Sequence, residues 1–361
     1  MQARVAVALL GVWFVTATVQ AQSPPTGSQP PAWASSATAK AGSQRPPQSA
    51  WTPQTVLSQD AWVLSASVVD DTKSGKGNGN GDEEKNGKKE EKPPEHIKDN
   101  SFLVEEAYNQ EPGVVQHIFN FVPTWDRTDG VSNRSFLFAY TMELPLCSQT
   151  HQFSFTMPVQ LLQEQRPAPD QGGVGDIFLN YRLQFMVEDE CPGWPAVAPR
   201  FSLLLPTGDK DRGLGTGELG YQFLLPISKQ IEPFAFHFNA GCTYVPGASV
   251  NLGGAESPAH NLRSYNLGGS AIWLVNYEFN LMLELVAYWN EGLDNLGNRE
   301  RSKIVILDPG FRWAAFTGDE VQWVLGVGLP IGLSRDAPDI GVFVYMSVEH
   351  DFKKKADNKS E

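Results

Sequence analysis

Beyond its first twenty or so positions this chain has no run of about 18 uninterrupted apolar residues, which excludes crossing a membrane with helices. Cysteine is scarce. Cys147, Cys191 and Cys242 are the only three, and no two share the CxxC spacing of a zinc or thioredoxin-type site. Basic residues are also in deficit: 28 Lys and Arg against 41 Asp and Glu leave a formal charge of −13. A nucleic-acid binder needs a basic face for the phosphates, so that class is excluded. No GxSxG occurs. Gly213-Leu214-Gly215-Thr216-Gly217 is glycine-rich, but no Lys-Ser/Thr pair follows it, so it reads as a mobile loop rather than a phosphate cradle. Asp209, Asp211, Gly213 and Glu218 echo a calcium loop only as far as the second Asp. The expectation is a chain with no cofactor, no metal site and no catalytic residue, and therefore not an enzyme. The enzyme alternative is a lipid-hydrolysing barrel using His237 as base, and it lacks a nucleophile motif.

Glycine (33), proline (26) and aromatics (11%) are plentiful, as turn-rich β proteins with interfacial rings require. The first 21 residues read as an export signal. Arg4 is the positive start, 5–15 is apolar except for Gly11, and Val19-Gln20-Ala21 is a small-residue cleavage site. Residues 22–100 read as a disordered linker, first rich in Pro, Ser, Gln and Ala, then charged with both signs over 73–98. It is either a solvated spacer or a tether to a cell-envelope partner. The stretch 101–110 is predicted as one short helix, with Ser101 as cap, Glu105 and Glu106 in its first turns, and Pro112-Gly113 as stop.

From there the pattern turns to period two. Phe153, Phe155, Met157, Val159 and Leu161 alternate with polar neighbours, as do Phe234, Phe236 and Phe238, and Phe279, Leu281, Leu283 and Leu285. Successive strand residues face opposite sides, so each segment has one oily face and one mixed face. About twelve such segments occur, over 113–123, 134–145, 151–161, 174–187, 196–206, 217–228, 232–245, 262–275, 278–290, 302–314, 320–332 and 340–352. Most reach or exceed the ~9–11 residues a tilted strand needs to cross hydrocarbon. Connections after odd segments are mostly long, as in 163–173, 207–216, 247–261 and 292–301. Those after even segments are mostly short, as in 147–150, 229–231, 276–277 and 317–319. Outer-membrane barrels sort their loops this way, with short turns in the periplasm. The predicted fold is all-β: a transmembrane antiparallel up-and-down barrel of about twelve strands over 101–352, with a charged tail at 353–361. Its setting is the outer membrane, with both termini periplasmic and outer-membrane lipid and a small solute as partners.

The inward list comprises Glu143, Arg182, Arg200, Gln222, His237, Glu284, Asp308, Arg312 and Glu349. Two readings of this mixed lumen stand: a selective channel for a small solute, or a lumen plugged by its own ion pairs that only holds the barrel together. Gly220, Gly241, Gly268, Gly310, Gly326 and Gly328 also point inward and favour an open path. Cys147 and Cys191 fall in neighbouring periplasmic connections and are a candidate disulfide pair. Cys242 faces lipid, and His117 and His151 lie near strand starts as interfacial or solvated residues.

Three stretches carry a resemblance. Gly173-Val174-Gly175-Asp176-Ile177 leads into one strand. Leu203-Leu204-Leu205-Pro206-Thr207-Gly208-Asp209 closes another and is followed by Gly215-Thr216-Gly217, and the last strand ends His350-Asp351-Phe352. From about Ser101 to Phe352 the chain resembles the outer-membrane transporter barrels of the meta-pathway phenol-degradation family. The resemblance implies a barrel and passive uptake of small hydrophobic or aromatic compounds, and it transfers no binding residue. Barrels of this kind usually end on a C-terminal aromatic, whereas here Phe352 precedes the charged tail.

Overall fold

A computed structural model describes residues 101–128, 131–163, 171–188, 193–294, 296–318 and 321–351. The predicted signal segment, the linker, Phe352 and the charged tail lie outside them. So does Cys191, one half of the candidate disulfide.

Along Phe279–Leu293 the side chains of Leu281, Leu283 and Leu285 are 40–50% exposed, while Met282, Glu284, Val286 and Tyr288 between them are buried. The same two-residue alternation recurs around the sheet. In lipid every backbone N–H and C=O must be paired within the protein, so strands with one oily face close on one another. Sixteen strand segments do so here. They are β1 (Val114–Thr128), β2 (Val131–Leu146), β3 (Ser148–Gln163), β4 (Gln171–Val174), β5 (Ile177–Leu183), β6 (Ala196–Val197), β7 (Arg200–Leu205), β8 (Gly220–Ile231), β9 (Phe234–Ala248), β10 (His260–Leu274), β11 (Phe279–Leu293), β12 (Arg299–Thr317), β13 (Val321–Gly328), β14 (Ile331–Gly332), β15 (Ile340–Gly341) and β16 (Phe343–Asp351).

Four staves of the barrel are interrupted, pairing β4 with β5, β6 with β7, β13 with β14 and β15 with β16, so sixteen segments make twelve staves. Two of the breaks fall at Pro199 and Pro330, which have no N–H to give the ladder. All pairings are antiparallel, and β1 closes the ring against β16 from Val114↔Asp351 to Phe121↔Val344. The result is the expected closed twelve-stranded up-and-down barrel.

At one end the connections are 129–130, 164–170, 206–219, 249–259, 294–298 and 333–339. At the other they are 147, 184–195, 232–233, 275–278 and 318–320. The first set is longer with one exception, 129–130, and the second is shorter with one exception, 184–195. Cys147 makes its one-residue turn at φ 63°, a left-handed conformation unusual for a residue with a side chain. Cys242 lies exposed on the outer face, as the alternation predicts.

One prediction is overturned. Residues 101–110 form no helix. They run as an irregular segment, and every one of them except the half-buried Tyr108 is buried. Their caps and dipole charges favour a helix locally, but the segment sits where another interaction is stronger: inside the barrel.

Candidate functional site: a lumen filled by the 101–110 segment

The inner wall has two halves. Around β10–β16 and β1 it carries a large apolar cluster of Ile118, Val122, Ile272, Met282, Val286, Ile304, Ile306, Phe343 and Tyr345, on strands that also bury Glu284, Asp308, Arg312 and Glu349. Around β2–β9 it is polar, with buried Gln152, Asn180, Arg182, Arg200, Gln222, Ser228 and Asn239. The entering segment matches this division in its order: Ser-Phe-Leu-Val first, then Glu-Glu-Ala-Tyr-Asn-Gln.

Phe102 is fully buried in the apolar half. Its ring stacks on Phe343 at 5.1 Å between centroids and leans on Tyr345 at 5.7 Å. Gly310, Gly326 and Gly328 make room for it: a Cβ at either of the first two would lie 2.6 Å from the ring, and at the third 2.9 Å. Val104 lies against Gly268 in the same way, 3.1 Å from where a Cβ would stand. The expectation that these inward glycines leave an open path is therefore corrected. Gly268, Gly310, Gly326 and Gly328 leave space that the chain's own Phe102 and Val104 fill, while Gly220 and Gly241 stand against the wall's own Leu204, Val245, Leu224 and Asn266.

The segment's backbone is paired by wall side chains, because an unpaired buried N–H is costly. Glu284 accepts the N–H groups of Phe102 (2.7 Å) and Leu103 (2.6 Å). Ser101 Oγ meets Ser270 Oγ at 2.6 Å. Turned to satisfy both of its ends, the Asn239 amide accepts from the Glu105 N–H and donates to the Glu105 carbonyl, each at 2.7 Å. Ser228, Gln184 and Gln152 accept the N–H groups of Ala107, Asn109 and Gln110 at 2.7–2.8 Å.

Charge closes the polar half. The Glu105 carboxylate lies between Arg182 (2.8 Å) and Arg200 (2.7 Å), with all three side chains almost wholly buried. Arg182 also donates to Asn109 Oδ1 and to the Tyr108 carbonyl, both at 2.7 Å, and stands 3.7 Å from Glu143. Arg200 reaches Gln222 at 2.7 Å, which in turn donates to Thr243. Glu143, Arg182, Arg200 and Gln222 are thus gathered around Glu105. The plugged-lumen reading expected a lumen filled by pairs of Arg182, Arg200, Glu284 and Arg312. The carboxylate that Arg182 and Arg200 share is Glu105 of the inserted segment, while Glu284 faces Asp308 directly across the β11–β12 ladder. Arg312 and Glu349 are buried on the inward faces of β12 and β16.

His237 Nδ1 lies 2.7 Å from Ser228 Oγ, the geometry a hydrolase would need. Here the Ser228 oxygen also receives the Ala107 N–H, so in this arrangement the dyad holds the segment. His117 and His151, near the same rim, pair with Tyr140 and Tyr181 at 2.8 and 2.7 Å.

The two glycine-rich motifs meet at the end bearing the longer loops. Asp176, buried in the gap between β4 and β5, accepts the Gly208 N–H (2.9 Å), the Thr216 N–H (2.8 Å) and the Thr216 hydroxyl (3.0 Å). A Cβ on Gly215 would lie 2.4 Å from Asp176 Oδ1 and 2.7 Å from Gly208, so this loop crossing requires glycine. The motifs pin the 206–219 loop to the wall where β4 has only β3 as a ladder partner.

No family model matches the chain, and no curated protein matches it. Among solved structures it is similar to the COG4313 outer membrane channel from Pseudomonas putida F1, with 14% identity and a TM-score of 0.53 over 68% of this chain and 98% of that one. The NanC porin matches at 7% identity and TM-score 0.40, over 66% of this chain and 99% of that one. The CymD monoaromatic hydrocarbon channel matches at 9% identity and TM-score 0.32, over 68% and 90%. At such identities the likeness is one of fold: this chain has the architecture of an outer-membrane β-barrel.

Proposed function

We propose that the chain is an outer-membrane channel for passive uptake of small, hydrophobic or aromatic solutes, closed in the described state by residues 101–110. Both termini would be periplasmic, and the longer loops would face outward. The carrying observation is that the closing element is not part of the sheet. It is a separate stretch of backbone, held by side chains such as Glu284, Asn239 and Arg182, and it can leave without breaking one ladder hydrogen bond. The apolar half of the lumen that it vacates would present Phe343, Tyr345 and the glycine seat to a solute of similar shape to Phe102. A further feature supports the solute class: the resemblance carried by the GxGD and PTGD stretches.

A second reading is favoured by the many bonds from the wall to the segment's backbone, six of its N–H groups among them: a barrel that never opens and serves as a structural anchor. Planar-bilayer conductance and solute flux into proteoliposomes decide between them. The channel reading expects flux that rises when the segment is loosened. A folded barrel that stays silent both as wild type and with the segment loosened refutes it.

A further inference from the structure

We propose that the outer face of β10–β12, just beyond the lipid belt, binds the phosphate groups of a phosphorylated glycolipid in the outer leaflet. This rests on the orientation proposed above. The outward side chains of β11 from Phe279 to Trp289 are all apolar, with an aromatic at each end. Ten residue steps at about 3.4 Å, tilted by about 40°, span roughly 26 Å, close to the ~25 Å apolar band of such barrels. The hydrocarbon therefore ends at Trp289, which lies beside Tyr265 on β10. The next outward residues are charged. Lys303 lies opposite Trp289, Arg301 opposite Glu291 and Arg299 opposite Leu293, forming a two-residue ladder up β12. Arg263 follows Tyr265 on β10, with its N–H on Glu291.

Four cations thus stand on this strip of wall in a chain whose net charge is −13. Glu291 and Asp336 lie against them, and Glu300, between Arg299 and Arg301, stands near Asp294 and Asp336. Glu291 takes Arg301 at 3.0 Å and Arg299 at 4.0 Å, and Asp336, from the adjoining loop beside Arg335, accepts the Lys303 backbone N–H at 2.7 Å. The Arg301 side chain remains 77% exposed; its Nε and Nη2 lie on Glu291 Oε1 at 3.2 and 3.0 Å, which leaves Nη1 to meet a ligand. Guanidinium forks pair bidentately with phosphate, and aromatic rings beneath them suit the headgroup boundary. The ligand is thus a lipid whose phosphates lie immediately above its acyl chains.

The test uses the purified full chain in detergent, titrated with bis-phosphorylated lipid A or its dephosphorylated form and read by native mass spectrometry. The variant R299Q/R301Q/K303Q should bind the phosphorylated lipid about ten- to a hundredfold more weakly, as loss of three exposed charge-assisted contacts predicts. K229Q, at the opposite rim and paired with Glu188, should bind as wild type. Heat-modifiable electrophoretic mobility checks that each variant is folded. Unchanged affinity in the triple variant, or equal affinity for the dephosphorylated lipid, overturns the proposal. An epitope inserted after Gly253, in the 249–259 connection, tests the orientation separately. If antibody reaches it only after permeabilisation, the topology and the leaflet assignment fall together. If it is reached on intact cells while phosphate selectivity is absent, only the lipid site falls.

Discussion

Replacing Phe102 by alanine should open the channel without touching its wall. Phe102 belongs to the inserted segment, and its ring is fully buried against Phe343, Tyr345 and three glycines. When the segment leaves, that ring passes into water, so the aqueous transfer and cavity costs apply even though the barrel sits in lipid. Truncating a buried Phe costs about 3–5 kcal/mol. At about 1.4 kcal/mol per decade, and discounting for partial collapse of the seat, the open-to-closed ratio should rise by about 100- to 1000-fold. Single-channel recording reads this as open probability, and liposome swelling reads it as solute flux. G326A puts a methyl 2.6 Å from the ring, so it too should loosen the segment. In the F102A background the ring is gone and the nearest remaining atom is the Phe311 carbonyl oxygen at 3.2 Å, so the added methyl should cost much less and the two changes should be strongly non-additive. A folded F102A barrel with wild-type open probability, or additive effects of the two substitutions, would show that Phe102 does not hold the closed state.

Three further outcomes follow from the same contacts. In a background lacking the native cysteines, S101C/S270C should form a disulfide, since the two hydroxyl oxygens are 2.6 Å apart, and oxidation should abolish flux that dithiothreitol restores. R182K should raise open probability by about tenfold or more, because one ammonium cannot serve Glu105, Asn109 Oδ1 and the Tyr108 carbonyl in the guanidinium's geometry; unchanged gating would remove Arg182 from the latch. D176A should free the 206–219 loop by orphaning two N–H groups, at a cost of about 2–4 kcal/mol, and trypsin should then cut at Lys210 or Arg212 markedly faster than in wild type.

The barrel was legible because its signal is local and repeated. An outward Leu283 and an inward Glu284 are dictated by the two-residue period alone, and twelve repetitions of that period leave few other folds. The inward positions of Arg182, Glu284 and Asp308 follow from the same arithmetic. What occupies the lumen was not legible from 101–110, because the helix signals there, a serine cap and two early glutamates, are local preferences that a ring of wall side chains overrides. The missed clue lay in the wall. Ile304, Ile306, Phe343 and Tyr345 face inward, and a water-filled lumen has no use for them. Beside them Gly310, Gly326 and Gly328 are side-chain vacancies on adjacent strands, and together they outline a seat the size of one aromatic ring, with the Asp308 carboxylate at its Gly328 edge. Across the lumen Arg182 and Arg200 crowd two cations together, and the Glu105 carboxylate lies between them. An apolar seat opposite a cationic pair calls for a ligand that is oily at one end and anionic at the other, and Phe-Leu-Val-Glu fits that description. The lumen's own chemistry thus limits the solutes that could replace the segment: those bearing a ring in place of Phe102 should compete best, and a carboxylate placed to reach Arg182 should strengthen them.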